Sequence, residues 1–152
     1  MSDVLSYAAE RAPSAILDVA TLTYSTIRAV GIQITSVIGN DDALVADIRR
    51  AGVAVGDPYW QLPLWEPYRE LIASPVADLR NEEIGEGPGA ITAALFLSEF
   101  VGGRPWAHLD TGGTAFLDEE TDGLEPGATG HGVRSLIRLV LDRQTATTGE
   151  SS

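Results

Sequence analysis

Two carboxylates and an imidazole fall where one surface could hold all three. His108 and Asp110 sit two residues apart in Trp106-Ala107-His108-Leu109-Asp110, a strand-like run whose alternation puts both side chains on one face. Asp18 lies in a second such run, Ala15-Ile16-Leu17-Asp18-Val19-Ala20. A His/Asp/Asp set can bind a metal or run acid–base chemistry. The same pattern suits a core histidine satisfied by hydrogen bonds, and spacing alone does not separate the two. Little else in the chain could do chemistry. The second histidine is His131, cysteine is absent, and every basic residue is an arginine. Disulfides, thiolate nucleophiles and Cys-based zinc sites are therefore excluded. No H-E-x-x-H segment or nucleophile elbow occurs, and no serine stands in a motif that pairs it with a base. No tightly held metal is expected from these residues.

The elements that must position these groups read as alternating strands and helices. Ala15 to Ala20 is nearly continuous in apolar residues, which predicts a strand covered on both faces. Ile32 to Ile38 is rich in β-branched residues and predicts a second strand, and Trp106 to Thr111 another. Between them, Asn40 is placed to cap a helix with Asp41 and Asp42 in its first turn; Leu44, Val45 and Ile48 form its inner face, and Gly52 ends it. Ala90 to Val101 has little polar surface and predicts a helix buried against a sheet. Val133, Leu136, Ile137, Val140 and Leu141 recur at helical spacing, with Arg134, Arg138 and Arg143 off that stripe. The expected architecture is α/β: a layered, mostly parallel sheet flanked by helices. One domain spans residues 1–144, followed by a polar, disordered tail over 145–152. Gly85-Glu86-Gly87-Pro88-Gly89 could cradle an anion ahead of the Ala90 helix, but no phosphate-loop fingerprint accompanies it, and a turn explains it fully.

The formal net charge of −12 would repel a phosphate backbone, so nucleic acid is not an expected partner. No apolar run reaches the ~18–20 residues that span a bilayer, and no basic segment followed by an apolar one opens the chain. A soluble cytoplasmic protein, with no membrane partner, is expected.

Ordered segments along the chain carry a resemblance. They are Asp18-Val19-Ala20-Thr21-Leu22-Thr23, Gly39-Asn40-Asp41-Asp42, Leu62-Pro63-Leu64-Trp65, Ser74-Pro75-Val76-Ala77-Asp78-Leu79-Arg80-Asn81, Ile91-Thr92-Ala93-Ala94-Leu95-Phe96-Leu97, Trp106 to Ala115, and Gly127-Ala128-Thr129-Gly130. From about Asp3 to Leu141 they resemble the C-terminal half of the catalytic domain of the leucyl (cytosol) aminopeptidases. That family removes N-terminal amino acids from peptides with two divalent metals, zinc or manganese, and assembles as hexamers built from trimers. Its metal-binding motif, Asn-Thr-Asp-Ala-Glu-Gly-Arg, lies just ahead of the segment matched by Asp3-Val4-Leu5-Ser6-Tyr7-Ala8, and its catalytic lysine lies earlier still. The resemblance thus implies a partial family fold without the metal ligands and the catalytic lysine and arginine, inactive alone and needing no cofactor of its own. It assigns substrate-binding positions to Thr21 and Leu22, whose backbone would hold the peptide, and to Gly112 and Ala115, which would line the pocket for the N-terminal side chain. This chain departs from the family at Tyr24, where glycine is usual, and at Thr111-Gly112-Gly113, where Ile-Ala-Gly is usual. A phenol at 24 would intrude toward the cleft. Expected partners are a second copy, or a separate chain supplying the metal-binding half, with a peptide or small molecule as ligand. A non-catalytic interaction protein and a metal-free enzyme reusing the remnant cleft are the alternatives.

Overall fold

A computed structural model of the chain describes residues 1–82, 85, 87–120, 123 and 125–149. The apolar runs form one four-stranded sheet of β1 (Ile16–Ala20), β2 (Thr35–Gly39), β3 (Tyr59–Gln61) and β4 (Trp106–Asp110), in the order β1-β4-β2-β3. β1 pairs parallel with β4 and β2 parallel with β3; only the central β2/β4 pair is antiparallel. Consequently β1 and β4 end at the same edge of the sheet where β2 and β3 begin. A short hairpin, β5 (Phe116–Leu117) and β6 (Gly127–Ala128), follows β4.

Helices cover both faces, as the apolar content of the strands requires. On one face, α3 (Asp42–Val55) and α5 (Val133–Gly149) close over Val37, Ala107 and Leu109 with Leu44, Val45, Ile48 and Leu139. On the other, α1 (Ser2–Glu10) and α4 (Gly89–Ser98) bury Ile16, Ile38 and Trp106 under Leu5, Ala94 and Leu97. Between β1 and β2 the chain forms α2 (Tyr24–Val30), and a 3-10 helix spans Glu66–Ile72. The layered, mostly parallel α/β architecture expected from the sequence is the one observed.

Local departures have physical causes. The cap of α3 is Asp41 rather than Asn40: the Asp41 carboxylate accepts from the Leu44 amide at 2.8 Å. Asn40 instead links strands and loops, donating to the Arg104 carbonyl at 2.9 Å and accepting from the Trp106 amide at 2.8 Å. Helix α3 also runs past Gly52 to a left-handed cap at Gly56. Gly52 is glycine because the Tyr59 ring and the Asp57 carbonyl lie against it. β1 is not covered throughout: it is an edge strand, and Val19 is 44% exposed. In α5 the periodic apolar stripe identifies the helix but not its buried side. Ser135 and Leu139 are buried and Leu136 partly so, whereas Val133, Ile137, Val140 and Leu141 face outward. Polar anchors set this rotation, Ser135 on Asp57 and Arg143 on Asp47 of α3. Of the Gly85–Gly89 loop, Glu86 lies outside the described residues.

Glycine within a helix is ordinarily improved by alanine, by about 0.5–1 kcal/mol. At position 52 the sign should reverse, because a Cβ would stand 2.5 Å from the Asp57 carbonyl oxygen and 2.3 Å from the Tyr59 ring. Urea denaturation of Gly52→Ala should show a loss of roughly 1–3 kcal/mol, the usual cost of overpacking. A gain in stability would contradict this packing.

Candidate functional site

The loops after β1 and β4 meet at one end of the sheet, and a single carboxylate joins them. Asp110, fully buried, accepts at Oδ1 from the amides of Leu22 (3.1 Å), Thr23 (3.4 Å) and Gly112 (3.2 Å), and at Oδ2 from the Thr23 hydroxyl (2.6 Å). The Thr23 Oγ1 also accepts from the Thr26 amide at 3.2 Å, which caps α2. The Thr111 amide donates to the Ala20 carbonyl at 2.9 Å and carries the β1/β4 ladder into these loops. Gly112 lets the backbones approach: a Cβ there would lie 2.7 Å from the Thr23 carbonyl oxygen. An alanine at 112 would need that carbonyl to move.

Of the four residues carried over from the resemblance, Thr21, Leu22 and Gly112 come together around Asp110. Thr21 and Leu22 are exposed at the end of β1, and Leu22 lines a cleft of about 360 Å³ with Thr23, Tyr24, Asn81, Glu82 and Thr92. The Leu22 amide already donates to Asp110. Tyr24 is exposed at this cleft, with the Arg28 guanidinium 5.5 Å from its ring centroid. Ala115 ends the same turn, its amide donating to the Thr111 carbonyl at 3.0 Å, and it is half-buried beside Thr129, whose amide donates to its carbonyl at 3.1 Å.

The His/Asp/Asp set divides into two. Asp18 and His108 are register partners on β1 and β4. The Asp18 carboxylate accepts from the Trp106 indole N–H at 2.7 Å and lies 2.5 Å from His108 Nδ1. His108 Nε2 is buried without a partner among the described residues, and the two clefts at this end of the sheet are lined by other residues. Asp110, on the same face, is engaged by the amides named above. The two metals that the resemblance implies do not fit this donor set. Both carboxylates are held by N–H and O–H donors, and among the described residues no three His, Asp or Glu side chains converge as a metal would require.

A second carboxylate cluster gave no signal in the sequence. Asp57, between α3 and β3, accepts at Oδ2 from the Ser135 hydroxyl (2.5 Å) and the Gly132 amide (3.3 Å), and at Oδ1 from Arg134 (3.3 Å). His131 Nδ1 stands 3.9 Å from Asp57 Oδ1, and its ring is tilted against Tyr59 at 5.5 Å. Asp57, His131 and Arg134 border an open cleft of about 500 Å³ with Ile32, Thr114 and Leu117. Burial pushes the Asp57 carboxyl up, but the hydrogen bonds from Ser135, Arg134 and Gly132 and the charge of His131 outweigh it and hold it below its ordinary value. His131 is held below the ordinary histidine range by burial, with Arg134 adding repulsion and Asp57 opposing. Burial raises the Tyr59 phenol.

A layered α/β unit with an amide-clamped ledge at the carboxyl ends of two parallel strands belongs to the class that binds ligands at such ends. Residues 1–137 match the model of the cytosol aminopeptidase family, catalytic domain. The chain is 51% identical over 143 residues to a probable cytosol aminopeptidase of Roseiflexus castenholzii, covering 93% of this chain and 29% of that protein. It is 48% identical over 140 residues to a probable cytosol aminopeptidase of Geobacter sulfurreducens, covering 92% and 28%. A solved tomato leucine aminopeptidase mutant superposes with a TM-score of 0.86 at 38% identity, covering 93% of this chain and 27% of that one. The chain belongs to the cytosol aminopeptidase family, and it spans less than a third of the length of these relatives.

Two outcomes follow. Asp110→Ala should destabilise the chain by about 1–3 kcal/mol in urea, because the amides of Leu22, Thr23 and Gly112 lose their acceptor; unchanged stability would show that the loops are held otherwise. For pH, a histidine whose folded value is depressed favours the fold only while neutral. That contribution is complete above its unfolded value of about 6.5 and is lost as pH falls from there toward the folded value. Asp57, also depressed, adds a loss only at lower pH, below its unfolded value near 3.8. Melting temperature should therefore fall between pH 7.5 and 5.5, and His131→Phe should flatten that fall; equal slopes for the two proteins would refute the assignment.

Proposed function

We propose that the chain forms the peptide-holding wall of a cytosol-aminopeptidase active site, and that it contributes to metal-dependent removal of N-terminal amino acids only when joined to the metal-binding part of the unit. The observation that carries this reading is the Asp110 clamp. It fixes the Thr21–Thr23 and Thr111–Gly112 backbones at the carboxyl ends of β1 and β4, beside the cleft bordered by Leu22 and Tyr24. The family is metal-dependent; among the described residues Asp18 and Asp110 are held by hydrogen-bond donors and no three His, Asp or Glu side chains converge, which supports metal ligands supplied from elsewhere in the unit. Thr21 and Leu22 supply backbone groups to the peptide in this reading, Gly112 closes the back of the ledge, and Tyr24 narrows the mouth. A metal-free enzyme built on His108 is less well supported, because that side chain is fully covered and its Nδ1 is engaged by Asp18.

The purified chain, free of host peptidase, should not hydrolyse leucine amide with excess manganese or zinc, and dialysed protein should carry no stoichiometric transition metal. Turnover that a chelator abolishes, or one to two equivalents of metal on elemental analysis, would overturn the reading of the chain as a wall without its own metal centre.

A further inference from the structure

The larger cleft at this end of the sheet, about 500 Å³, shares no lining residue with the one beside the Asp110 ledge. Its volume falls within the ~300–1,000 Å³ usual for small-molecule sites. It opens where β2 and β3 begin, next to the start of α5. Ile32, Pro58 and Leu117 give it an apolar wall, and Asp57, His131 and Arg134 a polar one.

The polar wall is charged one to one and incompletely paired. Asp57 is buried, and its Oδ2 is filled by the Ser135 hydroxyl and the Gly132 amide. Its Oδ1 accepts from Arg134 Nη2 at 3.3 Å, longer than the ~2.7–3.2 Å of ordinary hydrogen bonds. The Arg134 side chain is 70% exposed, which leaves the rest of its fork of N–H groups open to the cleft and solvent. His131 is nine-tenths buried, yet its ring makes no hydrogen bond among the described residues. Nδ1 stops 3.9 Å short of Asp57 Oδ1, and Nε2 has no partner. Buried polar groups are ordinarily satisfied, so an unpaired imidazole on the wall of a cleft points to a missing ligand group.

Charge decides what that group belongs to. The cluster holds one carboxylate, one guanidinium and a histidine that burial keeps neutral. A free anion is opposed by Asp57 and by the chain's net charge of −12, and a free cation is opposed by Arg134. A zwitterion meets neither objection. Its carboxylate can take the open side of the guanidinium fork, and its ammonium can donate into the gap between Asp57 Oδ1 and His131 Nδ1. We propose that this cleft binds a free α-amino acid with an aliphatic side chain, its carboxylate on Arg134, its ammonium between Asp57 and His131, and its side chain against Ile32, Pro58 and Leu117. A peptide carries the two charges on different residues, farther apart than this cluster spans. Removal of an N-terminal residue releases such an amino acid, so on the function proposed above the cleft holds product away from the ledge. The site itself stands on its own residues.

The test titrates the full, nitrogen-15-labelled chain with L-leucine and follows its backbone amides by NMR. Saturable shifts are expected at Gly130, His131, Gly132 and Arg134, around the cleft. N-acetylleucine and leucine amide, each lacking one of the two charges, should bind roughly tenfold more weakly or worse. Arg134→Gln and Ile32→Asp should each weaken leucine by about tenfold, the first by removing the carboxylate's partner and the second by placing a negative charge beside it. Arg138→Gln, on the same helix but outside the cleft, should bind like the parent. All three side chains are exposed, and a dispersed spectrum shows that the variants fold; the two blocked leucines test the same point on the unaltered chain. The proposal is overturned if millimolar leucine moves no amide around the cleft, if the blocked derivatives bind as well as leucine, or if Arg134→Gln binds like the parent. Shifts confined to Leu22, Thr23 and Gly112 also overturn it, while favouring the ledge as the place where substrate is held. Shifts at the cleft together with an inert ledge do the reverse, removing the proposed function and leaving this site.

Discussion

The carboxylate of Asp110 is the constraint on which this end of the molecule depends. Four donors from two loops converge on its two oxygens, three of them backbone amides, so the group holds chain direction rather than side-chain identity. The fold works this way more than once. Asp57 ties the start of α5 to the turn before β3, and Asp41 begins α3. In a chain without disulfides or lysines, the loops are held by acids that accept from amides and hydroxyls, a stronger bond than one between neutral groups. The acidic composition is thus partly architectural: some of the negative charge that suggests mere solubility is folded into the loops.

The antiparallel contact between β2 and β4 gives the ledge its neighbours. Because it reverses the sheet at its centre, the starts of β2 and β3 are brought to the ends of β1 and β4. The Asp57 cluster and the Asp110 clamp therefore share one end of the domain while facing different helices. Hydroxyl pairs on either face bind this end further, Thr26 with Ser36 and Thr35 with Thr114.

Much of the fold was legible because alternation and helical spacing are local. The Ile16–Ala20 and Trp106–Asp110 strands and helices α3, α4 and α5 all announce themselves in the order of apolar residues. What periodicity does not carry is which side of an element is covered. The stripe of α5 identified the helix but not its buried side, since Asp57 and Asp47, both distant in sequence, determine its rotation. The same limit applied to the site. Period two correctly put His108 and Asp110 on one face, yet their partners are set by β1 and its following loop, so the trio resolves into an Asp18–His108–Trp106 contact and a separate clamp. Asp57 was silent, because an acid before proline reads as a turn and its partner Ser135 lies 78 residues away.

The pairing of β1 also bears on how the molecule comes together in time. Among the described residues its strand partner is β4, 90 residues later in the chain, as the Asp18–His108 pair shows. Loop closure over that distance must be met before the pairing returns any energy, which places this contact among the slow, non-local ones. During synthesis, at about 5–20 residues per second, the apolar β1 segment would wait for several seconds before its partner emerges. Over that interval the side of β1 that β4 will cover stays open, an apolar strand edge in a crowded solution.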